Sequence, residues 1–139
     1  MQNNQQKVKI VLDTNIVVSA LIFGGVPRKV TDLIVDKAFR PVMSEELMTE
    51  LRRVITERFP RARHEIEIYE RLLKRYAIWV PLGSQTVVVS RDPDDNKFIE
   101  TALVSDAEYI VSGDKDLIEL KQYDQVKIIK LAEFLKLFD

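Results

Sequence analysis

Cysteine is absent from this sequence of 139 residues, and histidine occurs once, as His64. The lack of cysteine excludes disulfide bonds, thiolate zinc sites and a cysteine nucleophile. One histidine per chain cannot form a multi-histidine metal site, and any Ser-His-Asp triad would have to use His64. An enzyme with this composition must therefore take its polar chemistry mainly from carboxylates.

Long hydrophobic runs are also absent, since no apolar stretch approaches the roughly 20 residues that a membrane span requires. Residues 1–6 are polar and lack the basic segment and apolar core of a secretory signal. We therefore expect a cytoplasmic protein without a membrane partner. The length and the apolar fraction of 46% suit one globular domain over residues 1–139, with residues 1–6 as a disordered tail.

The net charge of −1 conceals a separation of charge along the chain. Residues 52–75 include eight basic and four acidic side chains, whereas residues 92–119 include nine acidic side chains and two lysines. A basic segment beside an acidic one can hold a polyanion and concentrate cations next to it. Solvated helix faces would give the same distribution, so the charge pattern alone leaves both explanations open.

Short β-rich runs alternate with helical segments along most of the chain. Strands are predicted over Lys7–Leu12, Phe39–Met43, Ile78–Val80, Thr86–Val89, Tyr109–Ser112 and Val126–Ile129. Helices are predicted over Ile16–Phe23, from Pro27 to Ala38, from Ser44 to Arg58, from Pro60 to Tyr76, from Asp92 to Ser105, from Asp114, and over Ala132–Phe138. This alternation favours an α/β protein with a parallel sheet covered by helices on both faces.

Acidic residues follow two of the apolar strand runs directly. Asp13 comes after the Ile-Val-Leu end of the first strand, whereas Asp114 and Asp116 follow the strand that begins at Tyr109. Ligands of open parallel α/β sheets bind outside the carboxyl ends of the strands. The other candidates are three acids in one first helical turn and one acid at the edge of an apolar helix stripe, namely Asp92, Asp94, Asp95 and Glu50.

Each acid taken alone has a structural explanation, since Asp is favoured at helix N-caps and acids are favoured in first helical turns. Several carboxylates at one sheet edge repel one another, however, and this is costly at a low effective dielectric unless a cation neutralises them. Oxygen ligands favour a hard divalent ion such as Mg²⁺ or Mn²⁺. The residues therefore indicate metal-assisted chemistry on a phosphate-like substrate, without selecting the substrate.

Four acidic motifs occur in the order seen in PIN-domain ribonucleases. They are VLDTN at Val11–Asn15, SEELMTEL at Ser44–Leu51, RDPDDNKF at Arg91–Phe98 and VSGDKDL at Val111–Leu117. The sequence most resembles the branch of this family that contains toxin components of toxin–antitoxin systems, similar to the VapC toxins. The motifs span most of the chain, and together they are more specific than one Asp-Thr-Asn after a strand.

This resemblance implies a flap-nuclease-like α/β/α sandwich, three layers with a central parallel sheet, and a Mg²⁺- or Mn²⁺-dependent endoribonuclease site. It assigns the four catalytic, metal-binding acids to Asp13, Glu50, Asp95 and Asp114. It also implies Asp116 as a further metal ligand and accessory roles for Thr14, Asn15, Asp94 and Asp116.

Two adjacent residues, Asp94 and Asp95, are candidates for the third acid. Asp95 stands seven residues before Ala102, which is the spacing that such families show between this acid and a helix alanine. Hydrolysis at such a site uses a metal-oriented water and leaves a 5′ phosphate and a 3′ hydroxyl. The resemblance further implies an RNA substrate, a small antitoxin that places a basic group near the acids, and a homodimer.

Other protein classes fit the sequence less well. A Mg²⁺-dependent phospho-receiver domain requires a phosphoacceptor Asp on a central strand and a Lys at a later strand end, whereas here Glu50 sits within a helix and no strand ends in Lys before the candidate acidic pocket closes. A haloacid-dehalogenase-like phosphatase requires Asp-x-Asp where this chain has Asp13-Thr14-Asn15, and no P-loop pattern is present. A non-catalytic RNA- or protein-binding module of the same fold is the main alternative.

The basic segment gives the first testable prediction. If Arg52, Arg53 and Arg58 contact RNA phosphates, replacing all three with Glu should weaken RNA binding across sequences, because phosphate contacts carry little sequence information. The slope of log affinity against log salt should flatten by about 0.7 per lost contact. If these arginines only pair with acids on exposed helix faces, the variant will keep the parent's affinity and salt slope.

Overall fold

A computed structural model of the protein describes residues 7–83 and 95–139. Within these ranges the strands are β1 (Lys9–Leu12), β2 (Arg40–Met43), β3 (Ile78–Trp79), β4 (Tyr109–Val111), β5 (Gln122–Tyr123) and β6 (Val126–Ile129). They form one sheet in the order β3-β2-β1-β4-β6-β5. All neighbouring strands are parallel except β5 and β6.

The helices of the described residues are α1 (Thr14–Ile22), α2 (Gly25–Val35), α3 (Glu45–Arg58), α4 (Arg63–Tyr76), α5 (Asn96–Ser105), α6 (Lys115–Leu120) and α7 (Leu131–Lys136). A short 3₁₀ turn over Pro60–Ala62 precedes α4. The helices flank a mostly parallel sheet, which confirms the predicted α/β class and its three-layer arrangement. None of the described helices is both long and apolar enough to cross a membrane.

Strand β1 occupies the centre of the sheet because its side chains are apolar on both faces. Ile10 and Val11 are fully buried and Leu12 is almost so, as expected for a strand covered on both sides. The strand pairs with β2 on one side and with β4 on the other. The strand order therefore changes direction between β1 and β4, which is where open α/β sheets bind their ligands.

Most predicted elements are present with ends shifted by a few residues, and two differences are informative. Helix α1 begins at Thr14 rather than Ile16, because Asp13 is its N-cap and accepts a hydrogen bond from the Asn15 amide. Strand β5 was not predicted, since its two residues form no apolar run, and it makes the edge of the sheet antiparallel. The predictions for residues 1–6, for the run 86–89 and for a helix start at Asp92 lie outside the described residues.

Helices α3 and α4 form the predicted helix pair between two strands. Ser44 is the N-cap of α3, and its hydroxyl accepts a hydrogen bond from the Leu47 amide at 3.3 Å. Apolar residues at helical spacing, Leu51 and Ile55 in α3 and Leu73 in α4, are buried in the core. The pair therefore belongs to the same hydrophobic core as the sheet, and it carries Glu50 towards the sheet edge.

An ion pair joins the outer faces of α3 and α4. The Arg52 guanidinium donates two hydrogen bonds to the Glu70 carboxylate, at 2.9 and 2.6 Å, and Lys74 lies 3.4 Å from the same group. These contacts lower the pKa of Glu70 from its usual 4.5 to about 2. Because the folded pKa lies below the unfolded one, this stabilisation is present above pH 4.5 and is lost as the pH falls towards 2.

We expect Glu70→Gln to lower the free energy of unfolding at neutral pH by about 1 kcal/mol, since Arg52 is partly exposed to solvent. The variant should also lose less stability than the parent between pH 4.5 and 2. Urea denaturation across this pH range measures both effects. Glu67→Gln, which removes an exposed acid from the same helix, is the control; equal acid sensitivity in the parent and in Glu70→Gln would contradict the prediction.

Candidate active site

Asp13 lies at the carboxyl end of the central strand β1. Its backbone amide donates to the Val111 carbonyl at 2.9 Å, which continues the pairing of β1 with β4. Its side chain caps α1 and is only 5% exposed. The Asp13 side chain therefore has two functions in the fold, since it caps α1 and places a carboxylate at the carboxyl edge of the sheet.

Ser112 connects Asp13 to the acids that follow β4. This fully buried serine donates its hydroxyl to Asp13 Oδ2 at 2.5 Å and accepts a hydrogen bond from the Asp114 amide at 2.9 Å. Asp114 in turn caps α6 by accepting from the Asp116 amide at 2.8 Å. Sequence reasoning missed Ser112; the available signal was a hydroxyl between an apolar strand and an acid.

Three carboxylates converge at this edge of the sheet. Asp95, Asp114 and Asp116 each offer one oxygen, and these oxygens all lie within 4.8 Å of one another. Asp95 is the N-cap residue of α5 and is 5% exposed, whereas the other two are partly exposed. The structure thus brings three predicted metal ligands together, while Asp94, predicted as an accessory residue, lies outside the described residues.

Burial raises the pKa of Asp13. Hydrogen bonds from Ser112 and Asn15 oppose this effect, and the negative charges of Asp114 and Glu50 raise the pKa further. Asp13 does not belong to the group of three converging carboxylates. The charges of Asp114 and Glu50 nevertheless raise its pKa. The carboxylates of this edge therefore form one electrostatic unit, and ionising all of them is unfavourable without a cation.

Glu50 reaches the site from α3 and is held by two partners. The Thr14 hydroxyl donates to Glu50 Oε2, and the Lys97 ammonium forms an ion pair with Glu50 Oε1. The Glu50 side chain is 14% exposed and that of Lys97 is 23% exposed. Lys97 was not singled out from the sequence, although it lies in the third acidic motif. Asn15, predicted as an accessory residue, has an exposed side chain.

The basic residues predicted to hold RNA lie in different surroundings. Arg52 is paired with Glu70, and Arg53 lies 3.4 Å from Glu57 one helical turn away. Arg58 is exposed and forms no ion pair with the residues that the structure describes. Two of the three arginines thus have the partners that solvated helix faces would give them, and their contact with RNA stays a prediction.

Comparison of the sequence and the fold with known proteins gives a family match, a relative and a structural neighbour. The sequence model of the PIN domain matches residues 9–116. The chain is 36% identical over 134 residues to an uncharacterized protein of Methanocaldococcus jannaschii, MJ1680, and the match covers 90% of this chain and 81% of that protein. The fold is similar to a chain in the crystal structure of VapBC2 from Rickettsia felis bound to a DNA fragment from their promoter. That match has a TM-score of 0.61 and 12% identity, and it covers 88% of this chain and 98% of the other.

Removing the Ser112 hydroxyl tests the link between the two strand ends. In metal-free protein, Ser112→Ala should raise the pKa of Asp13 further, because a hydrogen bond to its charged form is lost. Stability should fall by about 1–3 kcal/mol. Carbon-detected NMR titration of the Asp13 carboxyl measures the shift. Ser105→Ala removes another buried hydroxyl that does not contact the acids, and an equal pKa of Asp13 in both variants would disprove the link.

Proposed function

The chain belongs to the PIN-domain family, and from this premise we propose that it is a metal-dependent endoribonuclease and the toxin component of a toxin–antitoxin pair. The observation that carries the proposal is the convergence of the Asp95, Asp114 and Asp116 oxygens within 4.8 Å, beside the buried Asp13. PIN domains are generally nucleases, and this acidic edge lies where an open α/β sheet binds its ligand.

The donor set fits a hard divalent cation. All the converging groups are carboxylate oxygens, which favour Mg²⁺ or Mn²⁺, and no cysteine, histidine or methionine belongs to the group. When bound, such an ion supplies a polarised water and offsets the negative charge that develops on the phosphoryl oxygens. Burial raises the pKa of Asp13, and the charges of Asp114 and Glu50 raise it further; a nearby cation would oppose both effects by stabilising the ionised carboxylate.

The residues of the chain have distinct roles in this proposal. Asp95, Asp114 and Asp116 bind the ion. Asp13 adds a further carboxylate to the site, and the hydrogen bond from Ser112 orients that carboxylate. Glu50 is oriented by Thr14 and Lys97. With a divalent cation held by these acids, the site would orient an RNA phosphate for attack by water in line with the leaving 3′ oxygen, and hydrolysis would leave a 5′ phosphate and a 3′ hydroxyl.

A protein partner is proposed from one structural neighbour and from the charge pattern of the sequence. The similar Rickettsia felis chain comes from a VapBC2 complex, and this supports a small antitoxin as the partner of the present chain. A basic group of that antitoxin would complement the excess of acids over residues 92–119. Of the three arginines predicted to contact RNA, Arg58 is the one without an ion pair among the described residues, so it could bind an RNA phosphate. Homodimerisation stays a prediction from the family resemblance.

Neutralising one acid tests the proposed activity. Asp114→Asn should lower the rate of Mn²⁺-dependent cleavage of single-stranded RNA by more than about 100-fold, because losing a group that merely supports a metal ligand already costs about 10–100-fold. The fold should persist, since Asn is as good an N-cap as Asp. Gel assays with Mg²⁺, Mn²⁺ and EDTA, with analysis of the product ends, measure the effect.

The control variant is Asp36→Asn, which neutralises an exposed acid at the end of α2. It should cleave at the parent's rate. Cleavage that persists in EDTA, or that survives Asp114→Asn unchanged, would refute the proposal. RNA binding without any cleavage by the parent would instead favour a non-catalytic RNA-binding module.

A further inference from the structure

Lys97 is a cation that already lies inside the acidic site. Its ammonium engages one oxygen of Glu50 while the Thr14 hydroxyl engages the other, so both carboxylate oxygens have a partner. Both side chains of the ion pair are largely shielded from solvent, and salt therefore screens the pair much less than an exposed one. The Lys97 ammonium thus neutralises the Glu50 carboxylate within the chain itself.

Buried hydrogen bonds fix the position of Lys97 relative to Glu50. The Thr101 hydroxyl donates to the Lys97 carbonyl at 2.7 Å and lies 3.1 Å from the Ser44 hydroxyl. Ser44 is the N-cap of α3, the helix that carries Glu50, and both Ser44 and Thr101 are fully buried. These hydrogen bonds link α5 to the N-cap of α3, and they fix the backbone of Lys97 relative to the helix that carries Glu50.

Given the proposed function, we propose that Lys97 is a positioning residue whose ammonium takes the place of a second metal ion beside Glu50. The site would then bind one divalent ion, at Asp95, Asp114 and Asp116. Two-metal nuclease sites hold their ions about 3.5–4 Å apart by shared carboxylates. In this chain the compact ammonium of Lys97 pairs with Glu50. Glu50 is the carboxylate that a second ion would need as a ligand.

Lys97→Met tests this role, because Met keeps an unbranched stem and removes only the charge. Isothermal titration calorimetry without RNA should give one Mn²⁺ per parent chain and two per Lys97→Met chain. The Mn²⁺-induced rise in melting temperature should also be larger in the variant, since a second bound ion adds stabilisation by linkage. Lys74→Met, which removes a more exposed lysine that pairs with Glu70 and not with Glu50, should bind one ion like the parent.

Two further variants separate the charge of Lys97 from its bulk. Lys97→Arg keeps the positive charge and should bind one ion, as should the double variant Glu50→Gln/Lys97→Met, which lacks the carboxylate that a second ion would use. One ion bound by Lys97→Met with the parent's affinity, or two bound by the parent or by Lys97→Arg, would overturn the role of Lys97. A parent that binds no ion would overturn the metal site itself, whereas a failure confined to the Lys97 variants leaves the proposed nuclease intact.

Discussion

Repulsion between carboxylates at the junction of β1 and β4 is the constraint on which the rest of this structure depends. Leu12 lies opposite Val111 in the parallel register, so the acids that follow the two strands reach the same edge of the sheet. Charges gathered there are stable only if hydrogen bonds or cations offset them. Ser112 supplies the first kind of compensation, because its buried hydroxyl links the Asp13 carboxylate to the Asp114 amide.

The N-termini of helices also offset the negative charge of these acids. The same residues can therefore act both as helix caps and as members of a candidate metal site. Asp13 caps α1 and Asp114 caps α6, and each accepts a backbone amide two residues further along the chain. The positive end of a helix also favours a nearby negative charge. An acid at an N-cap is therefore compatible with an acid at a candidate metal site: the cap fixes the carboxylate's direction, and its second oxygen can face another group.

The helix pair α3–α4 determines how the basic and acidic parts of the chain meet. Glu50 faces inward to Thr14 and Lys97, while two residues later Arg52 faces outward to Glu70. The same helix thus contributes an acid to the candidate site and a cation to a structural ion pair. Positive charge in the sequence is for this reason a poor guide to a surface that could bind nucleic acid, since part of the charge forms ion pairs within the fold.

The sequence by itself determined the α/β architecture and the place of Asp13 and Asp114, because apolar periodicity is local and an acid directly after a parallel strand must lie at its carboxyl edge. The two-residue β5 lacked any such periodicity. Only the tertiary structure assigned Ser112 and Lys97 their partners: Ser112 contacts an acid 99 positions away, and Lys97 meets Glu50 through the packing of α5 on α3. Such contacts depend on how distant segments pack, which no local pattern encodes.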